Sequence, residues 1–312
     1  MTLMPELPTL KEARKFAEKL RAHFQNPESR THPYLRLMRL DQPAGTWLLL
    51  LPCWWGVAFS AEYFPNLWLM FLFALGAVVM RGAGCVVNDI YDRKLDRLVE
   101  RTKHRPLASG EIALPQAFVF LALLLGLGFC LLLLFNRLTM LLGALSLILV
   151  FAYPLMKRVT WAPQLFLGLA FNWGALMGGA AALGKLDFPH ILLYIAGIFW
   201  TLGYDTIYAH QDKRDDAAAG IKSTALLFAD RSPRWVALFY ALTLVFLAFA
   251  GWAEGDGMGR VYTWGLLAAA CFALVQLALW KPDDPPNCAR RFNANRDFGL
   301  IVLAAIVLGK MI

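Results

Sequence analysis

The chain has 312 residues, of which 59% are hydrophobic and 17% are charged, with a formal net charge of +8 and a mean hydropathy of +0.52. An average soluble domain is about 45–50% apolar and about 25% charged, so this composition excludes intrinsic disorder and argues against a soluble globular protein. Five cysteines in 312 residues are too few for a disulfide scaffold. The composition therefore predicts a protein that crosses a membrane several times.

The N-terminal 40 residues are polar and precede the first apolar stretch, so we predict an N-terminal segment over 1–40 and a transmembrane domain over 41–312. Residues 11–24 have the pattern of an amphipathic surface helix. A mitochondrial transit peptide would lack acidic residues, so the acidic residues here favour a bacterial inner membrane over a mitochondrial one. Four glutamates carry this argument: Glu6, Glu12, Glu18 and Glu28.

Nine apolar stretches follow along the rest of the chain. A helix needs roughly 20 mostly apolar residues to cross about 30 Å of hydrocarbon, and continuous apolar runs favour helices over alternating β-strands. We therefore predict an all-α polytopic membrane protein with nine transmembrane helices in contact with membrane lipid. The predicted spans are 43–61, 67–87, 115–135, 138–156, 163–183, 189–209, 234–253, 262–280 and a short 298–312.

The basic residues alternate with the predicted spans. Of the 30 Lys and Arg residues, 26 belong to one side of the membrane and 4 to the other. Because cytoplasmic loops carry the excess of Lys and Arg, the N-terminus is predicted on the cytoplasmic side, or the matrix side in a mitochondrion. Anionic lipid headgroups are sufficient partners for this charge, so the prediction includes no nucleic acid.

Two acidic clusters follow the second and sixth spans, both on the basic side. In the first, Asn88, Asp92 and Asp96 are spaced four residues apart and form one stripe if the helix continues. In the second, Asp205, Asp212 and Asp216 would also share a face of one continuous helix. Asp89 and Asp215 lie beside these stripes, and spacing does not exclude them.

A stripe of carboxylates is destabilising unless a positive charge lies among them. In a single loop, neighbouring Arg and Lys residues would supply that charge. Two clusters in matching places favour a metal site instead, and hard oxygen ligands that share the ion with phosphates suit Mg²⁺. The windows 88–100 and 204–216 align at a constant offset of 116, which suggests an internal repeat.

Basic residues that can bind phosphates follow on the same side. Arg101 and Arg105 come directly after the first cluster, and Tyr153–Arg158 closes the fourth span with the sequence Y-P-L-M-K-R. Arg and Lys beside carboxylates can hold a diphosphate directly and through a metal ion. Each of these basic residues alone would be an ordinary anchor at the membrane interface. Because they lie on the same side as both acidic clusters, together they indicate a diphosphate site.

These motifs together resemble the UbiA superfamily of intramembrane aromatic prenyltransferases. The first cluster is similar to the family's N-D-x-x-D-x-x-x-D motif, and the second is similar to its Asp-rich partner. The branch of the family that acts on 4-hydroxybenzoate also has R-x-A-G-C-x-x-N-D, Y-P-x-M-K-R and G-I-K-S-T, here 81–89, 153–158 and 220–224. The resemblance runs from about residue 35 to the C-terminus.

The resemblance implies a nine-helix bundle around a central cavity capped by the two acidic loops. It implies transfer of a polyprenyl group from a polyprenyl diphosphate to the ring of 4-hydroxybenzoate, ortho to the hydroxyl, with Mg²⁺ as the cofactor. The implied metal ligands are Asn88, Asp92, Asp96, Asp212 and Asp216, of which the four aspartates are the catalytic residues. The implied substrate-binding residues are Arg39, Arg101, Arg105, Tyr153, Lys157 and Asp205.

Several alternatives stay open. Tyr208 stands where other branches have the first Asp of D-x-x-x-D, so the number of metal ions is not settled. Homogentisate and dihydroxynaphthoate are alternative acceptors, and haem farnesylation is another activity within the superfamily. A secondary transporter is the rival from another class, but its ionisable residues would lie near the bilayer midplane. A CDP-alcohol phosphotransferase lacks support because its glycine-spaced acidic signature is absent.

Three further polar residues have two interpretations each. His104 and His210 lie near the acidic motifs, where each is either the base that removes a ring proton or a partner in a loop hydrogen bond. Asn172 lies deep in the fifth span, where a polar side chain without a partner costs free energy. It is either part of an interhelical hydrogen bond or a cavity contact.

Overall fold

The computed structural model describes residues 33–99, 101–254 and 258–312. Throughout these ranges the chain forms helices joined by short loops. The surface helix expected at residues 11–24 lies outside the described residues, and the division into residues 1–40 and 41–312 stays a prediction. The helices are α1 Pro33–Leu37, α2 Ala44–Phe59, α3 Leu67–Asp96, α4 Pro106–Ser109, α5 Leu114–Leu132, α6 Arg137–Val159, α7 Pro163–Leu183, α8 Phe188–Ala209, α9 Lys213–Ala219, α10 Thr224–Phe228, α11 Ser232–Trp252, α12 Arg260–Ala278 and α13 Pro285–Met311.

Nine of these helices lie where the nine apolar stretches predict them, so the all-α membrane architecture is confirmed. Within the described ranges, eight helical segments are long and apolar enough to cross a membrane. The exception is α2, which has 16 residues and a length of about 24 Å at 1.5 Å per residue. Because α2 is shorter than a typical hydrocarbon core, the count of nine crossings stays a prediction.

The last helix is longer than the sequence predicts. The prediction begins at residue 298, whereas α13 begins at Pro285 and has 27 residues. The Asp284 side chain caps this helix by accepting a hydrogen bond from the Asn287 backbone. Polar residues of its first half, such as Asn293, line an internal cavity instead of facing lipid, so low hydropathy there does not end the helix.

Small residues allow α2 and α7 to pack closely. A Cβ atom added to Gly56 would lie 2.3 Å from the Ala175 carbonyl oxygen, and one added to Gly178 would lie 2.3 Å from the Cys53 carbonyl oxygen. Both distances are shorter than any real Cβ contact. Glycine at these positions brings the two backbones together, which is a common way to associate helices in a membrane.

Hydrogen bonds between polar side chains join helices in the bundle core. Asn295 Oδ1 accepts hydrogen bonds from Trp200 Nε1 at 2.9 Å and from the Tyr240 hydroxyl at 2.8 Å. Asn172 Nδ2 donates to Thr201 Oγ1 at 2.7 Å, which joins α7 to α8. The interhelical interpretation of Asn172 is therefore confirmed. By contrast, large apolar side chains are exposed on the outer surface, where lipid would cover them: Phe118, Leu127, Ile148 and Trp264.

Both acidic clusters lie at the same end of the bundle. Arg101, which follows α3, donates to Asp212, which follows α8, over an Nε–Oδ1 distance of 2.7 Å. Together with the charge count, this contact predicts that both loops face the compartment of the N-terminus.

Cysteine labelling tests this topology. In a variant without the five native cysteines, we expect a membrane-impermeant maleimide to label Lys94→Cys and Arg214→Cys from the side that holds an N-terminal tag. Lys185→Cys, in the loop between α7 and α8, is the control and should be labelled from the opposite side. Labelling of Lys94→Cys and Arg214→Cys from different sides would contradict the prediction.

Candidate active site

A cavity of about 1350 Å³ lies inside the bundle. Its wall is charged at the end where α3, α6 and α8 finish, and it is apolar farther along α3, α5 and α6. Apolar side chains of that part include Leu125, Phe129, Leu132, Phe135, Leu147 and Val150. All the candidate site residues from the sequence line the same cavity: Arg39, Asn88, Asp92, Asp96, Arg101, Arg105, Tyr153, Lys157, Asp205, Asp212 and Asp216.

The first acidic cluster lies on a continuous helix. Because α3 extends through Asp96, Asn88, Asp92 and Asp96 follow one another at one-turn intervals, as the spacing predicts. Asp92 is 2% exposed and Asp96 is 7% exposed. Buried carboxylates of this kind need positive partners.

Basic residues from distant parts of the chain supply those partners. Arg105 Nη1 donates to Asp96 at 2.9 Å and lies 3.3 Å from Asp89 Oδ1. Arg39 Nη2 donates to both carboxylate oxygens of Asp89, at 2.8 and 2.9 Å. The Lys157 ammonium donates to Asp92. Three cations that also line the cavity therefore hold these carboxylates. A fourth, Arg158, lies outside the cavity lining, with its Nη2 3.7 Å from Asp92 Oδ1.

The second cluster differs from the sequence prediction. Asp205, Asp212 and Asp216 do not share one helix face, because α8 ends at Ala209 and α9 begins at Lys213. The chain turns between them through short i→i−3 hydrogen bonds, such as Gln211 N to the Tyr208 carbonyl oxygen at 3.0 Å. The turn nevertheless leaves all three aspartates on the cavity wall.

Arg101 and Tyr208 accompany the second cluster. Arg101 donates through Nε and Nη2 to the two oxygens of Asp212, a bidentate pair. Its Nη1 donates to the Tyr208 hydroxyl at 3.2 Å. Burial raises the pKa of the Asp216 carboxyl to about 7, and the nearby Asp212 carboxylate adds to this rise. Asp216 is therefore partly protonated at neutral pH.

The donor set fits a divalent cation. Among the described residues no three His, Cys, Asp or Glu side chains form a ready-made metal cluster. Four carboxylates of the site instead pair with basic residues: Asp89, Asp92, Asp96 and Asp212. Two oxygen atoms nevertheless lack a hydrogen bond although they are buried, namely Asn88 Oδ1 and Asp92 Oδ1. These atoms lie one turn apart on α3, and hard oxygen ligands suit Mg²⁺.

Sequence reasoning assigned no role to Arg81, which lines the cavity within α3. Its Nη1 donates to Cys85 Sγ at 2.8 Å, and its guanidinium lies 5.6 Å from the centre of the Phe171 ring. Its Nε is buried without a hydrogen bond. Arg81 also interacts electrostatically with Asp205. An arginine inside an apolar span is itself the signal that points to a functional site.

The two histidines differ in position. His104 lines the cavity, whereas His210 is 4% exposed and packs edge-on against Trp280 with ring centroids 5.2 Å apart. Burial lowers the pKa of His210 to about 4, and Lys213 adds to the decrease. His210 lies outside the cavity lining, so its position gives no support for a role as the proton acceptor, and that interpretation stays untested.

Curated relatives cover nearly all of this chain. One from Drosophila pseudoobscura pseudoobscura, named "4-hydroxybenzoate polyprenyltransferase, mitochondrial", is 46% identical over 99% of this chain and 76% of its own length. One from Homo sapiens with the same name is 47% identical over 89% of this chain and 76% of its own length.

Solved structures have the same fold. A UbiA homolog from Aeropyrum pernix K1, solved as the apo form, matches 84% of this chain and 97% of its own, with a TM-score of 0.70 and 26% identity. A UbiA homolog from Archaeoglobus fulgidus, bound to GPP and Mg²⁺, matches 88% of this chain and 99% of its own, with a TM-score of 0.67 and 21% identity.

The relatives correct the predicted location. The acidic residues of the N-terminal 40 favour a bacterial inner membrane, but the names of the relatives from insects, mammals and a plant all say mitochondrial. The prediction of a bacterial membrane is therefore contradicted. Acidic residues in a polar segment do not determine the location of a protein, because targeting signals are recognised by receptors.

The family model described as "UbiA prenyltransferase family" matches residues 49–301, which include both acidic clusters and the first part of the last helix. The match confirms the resemblance carried by the N-D-x-x-D-x-x-x-D motif. It also excludes the transporter and the CDP-alcohol phosphotransferase as alternatives. The chain belongs to the UbiA prenyltransferase family.

Proposed function

We propose that this protein transfers a polyprenyl group from a polyprenyl diphosphate to the ring carbon of 4-hydroxybenzoate ortho to the hydroxyl, with release of diphosphate, as a step of ubiquinone biosynthesis. The observation that carries the proposal is one cavity with paired acids and bases at one end and apolar walls beyond. The charged end suits a diphosphate, and the apolar walls suit an isoprenoid tail.

The acidic residues are the proposed ligands of Mg²⁺: Asn88, Asp92, Asp96, Asp212 and Asp216. Asn88 Oδ1 and Asp92 Oδ1, which are buried without a hydrogen bond, support this role, and an archaeal homolog of the same fold binds GPP and Mg²⁺. When bound, the ion would neutralise charge on the departing diphosphate.

The basic residues are the proposed diphosphate ligands, together with Tyr153: Arg39, Arg101, Arg105 and Lys157. In the structure three of these cations, Arg101, Arg105 and Lys157, neutralise carboxylates that would hold the metal ion. The fourth, Arg39, neutralises the neighbouring Asp89. A metal ion and a diphosphate that enter together bring opposite charges, so the cations can move from carboxylate to phosphate without leaving a buried charge unpaired. The preorganised cations then stabilise the leaving group as the allylic C–O bond breaks.

The cavity walls protect the resulting allylic cation. Water would convert that cation to an alcohol, and apolar lining side chains such as Leu125 and Leu132 would exclude it. The phenol ring attacks the cation and then loses a proton. Asp205 lines the cavity near Arg81. We place the aromatic substrate, 4-hydroxybenzoate, beside this pair.

Arg81 supports a carboxylated acceptor. Its Nε has no partner although it is buried, and a buried guanidinium donor of this kind favours an anionic ligand. Gly45 leaves room for the Arg81 side chain itself, since a Cβ atom there would lie 2.5 Å from Arg81 Nε. The carboxylate of 4-hydroxybenzoate matches this donor, and the relatives bear the name of that activity.

A competition assay tests the acceptor. With one polyprenyl diphosphate and Mg²⁺, we expect kcat/KM for 4-hydroxybenzoate to exceed that for homogentisate or dihydroxynaphthoate by at least about tenfold, since a site built to hydrogen-bond one acceptor discriminates strongly. The measurement is initial prenylation rate in purified membranes, with membranes that lack the protein as the control. Equal or better turnover of either competitor would place the protein in another branch of the family.

A further inference from the structure

The segment 220–224, with the sequence G-I-K-S-T, has no role in the proposed function so far. It links α9, which carries Asp216, to α10. Gly220 ends α9 in the left-handed conformation with φ +68°, which turns the chain back toward the bundle. Ile221, Lys222 and Ser223 then line the cavity at its charged end.

Hydrogen bonds hold this segment firmly in place. Ile221 N donates to the Asp216 carbonyl oxygen at 2.9 Å, and Lys222 N donates to the Lys157 carbonyl oxygen at 3.1 Å. The segment is thus attached by its backbone to one proposed metal ligand and one proposed diphosphate ligand.

Thr224 fixes the other end. Its backbone N donates to Gln164 Oε1 at 3.1 Å, and its hydroxyl lies 2.7 Å from the Thr206 hydroxyl. Both bonds join the segment to long helices, α7 and α8. The position of Ser223 between these anchors is therefore rigid.

Ser223 is 3% exposed, and its hydroxyl has no hydrogen-bond partner in the described part of the chain. A serine before a helix usually caps it with the hydroxyl oxygen, but Ser223 makes no such cap to α10. Leaving a buried hydroxyl unpaired costs about 1–3 kcal/mol. A ligand in the cavity would satisfy it.

We propose that the Ser223 hydroxyl donates a hydrogen bond to a phosphoryl oxygen of the bound diphosphate. This inference rests on the proposed function, because the diphosphate is that of the polyprenyl donor and of the released product. A phosphoryl oxygen is favoured over the aromatic acceptor because the segment is bonded to Asp216 and Lys157, whereas Arg81, beside the proposed acceptor, lies on α3 against Phe171. Ser223 is thus a further substrate-binding residue.

The test compares Ser223→Ala with Ser146→Ala. Ser146 also lines the cavity, but its hydroxyl already donates to the Gly143 carbonyl oxygen at 2.7 Å. For Ser223→Ala we expect kcat/KM for the polyprenyl diphosphate to fall roughly tenfold or more, the effect of losing a hydrogen bond to a charged group. We expect KM for the acceptor and the thermal midpoint to stay near the wild-type values, and Ser146→Ala to change none of these quantities.

Calorimetry with Mg²⁺ and inorganic diphosphate gives a readout that does not need turnover. The expected result is a dissociation constant roughly tenfold higher in Ser223→Ala than in wild type. If the wild type binds diphosphate this way but prenylates no aromatic acid, the proposed function fails while the role of Ser223 stands. Unchanged donor kinetics and unchanged diphosphate affinity would overturn the role of Ser223. A rise in acceptor KM alone, an equal loss in Ser146→Ala, or a lowered thermal midpoint with a parallel loss of all parameters would do the same.

Discussion

Replacement of Asp92 or Asp212 by Asn is expected to lower prenylation turnover at least roughly 10²-fold, equivalent to ~2.7 kcal/mol of transition-state stabilisation. Asn keeps the size of the side chain but removes the negative charge of a proposed metal ligand. The loss would act when charge on the leaving diphosphate is greatest. A purely structural surface residue would tolerate the change within about 0.5 kcal/mol.

The two aspartates should behave as one unit. Asp92 is bonded to Lys157 of α6, and Asp212 is bonded to Arg101 of the loop after α3, so the proposed metal centre draws on both halves of the chain. Because both carboxylates would serve one centre, the Asp92→Asn/Asp212→Asn double variant should be little slower than either single variant. Additive losses would indicate two independent sites.

The measurement is the initial prenylation rate against Mg²⁺ concentration at matched amounts of folded protein. Matching is needed because Asp92→Asn leaves the largely buried Lys157 without its carboxylate partner. Asp215→Asn is the control: it removes the same charge from α9, but Asp215 is exposed and does not line the cavity. Near-wild-type turnover of Asp92→Asn or Asp212→Asn at ordinary Mg²⁺ would remove that residue from the active site.

The first acidic stripe shows what periodicity can predict. Asn88, Asp92 and Asp96 share a face because α3 continues beyond the apolar stretch to Asp96, so the local spacing is sufficient. The same holds for the apolar parts of the nine main helices, since continuous apolar runs determine their positions, but not for the polar first half of α13. Residue spacing predicts which side chains share a face wherever a single helix continues through all of the residues concerned.

The second stripe shows where such reasoning fails. The helix ends at Ala209, where His210 packs against Trp280 from the loop before α13. That contact joins residues 70 positions apart, so no local pattern reveals it. The break turns Asp212 toward Arg101. The loops after α3 and α8 are therefore joined by this ion pair and not by residues on one helix face.

Long-range pairing also explains why the site was only partly predictable. The motifs identified the acids and bases as two sets, but they did not show which base pairs with which acid. Arg39 binds Asp89 across 50 positions, and Lys157 binds Asp92 across 65. Such pairs depend on how α1, α3 and α6 pack. The role of Ser223 was hidden for the same reason, since only the fold shows that its hydroxyl is buried and unpaired.

Replacement of Arg81 by Lys is expected to lower kcat/KM for 4-hydroxybenzoate roughly 10- to 100-fold. Lys keeps the positive charge near Asp205, so the loss reports the planar guanidinium and its additional donors. Hydrogen bonds to charged groups contribute about 1.5–3 kcal/mol, and each 1.4 kcal/mol is about tenfold. KM for the polyprenyl diphosphate should stay within about twofold of the wild-type value, because we place that substrate at the proposed diphosphate ligands and not at Arg81.

The measurement is the kinetics of each substrate at saturation of the other. Arg137→Lys is the control, since Arg137 is exposed and lies outside the cavity lining. An Arg81→Lys variant with unchanged acceptor KM, or with a loss confined to the donor, would show that Arg81 does not bind the acceptor carboxylate.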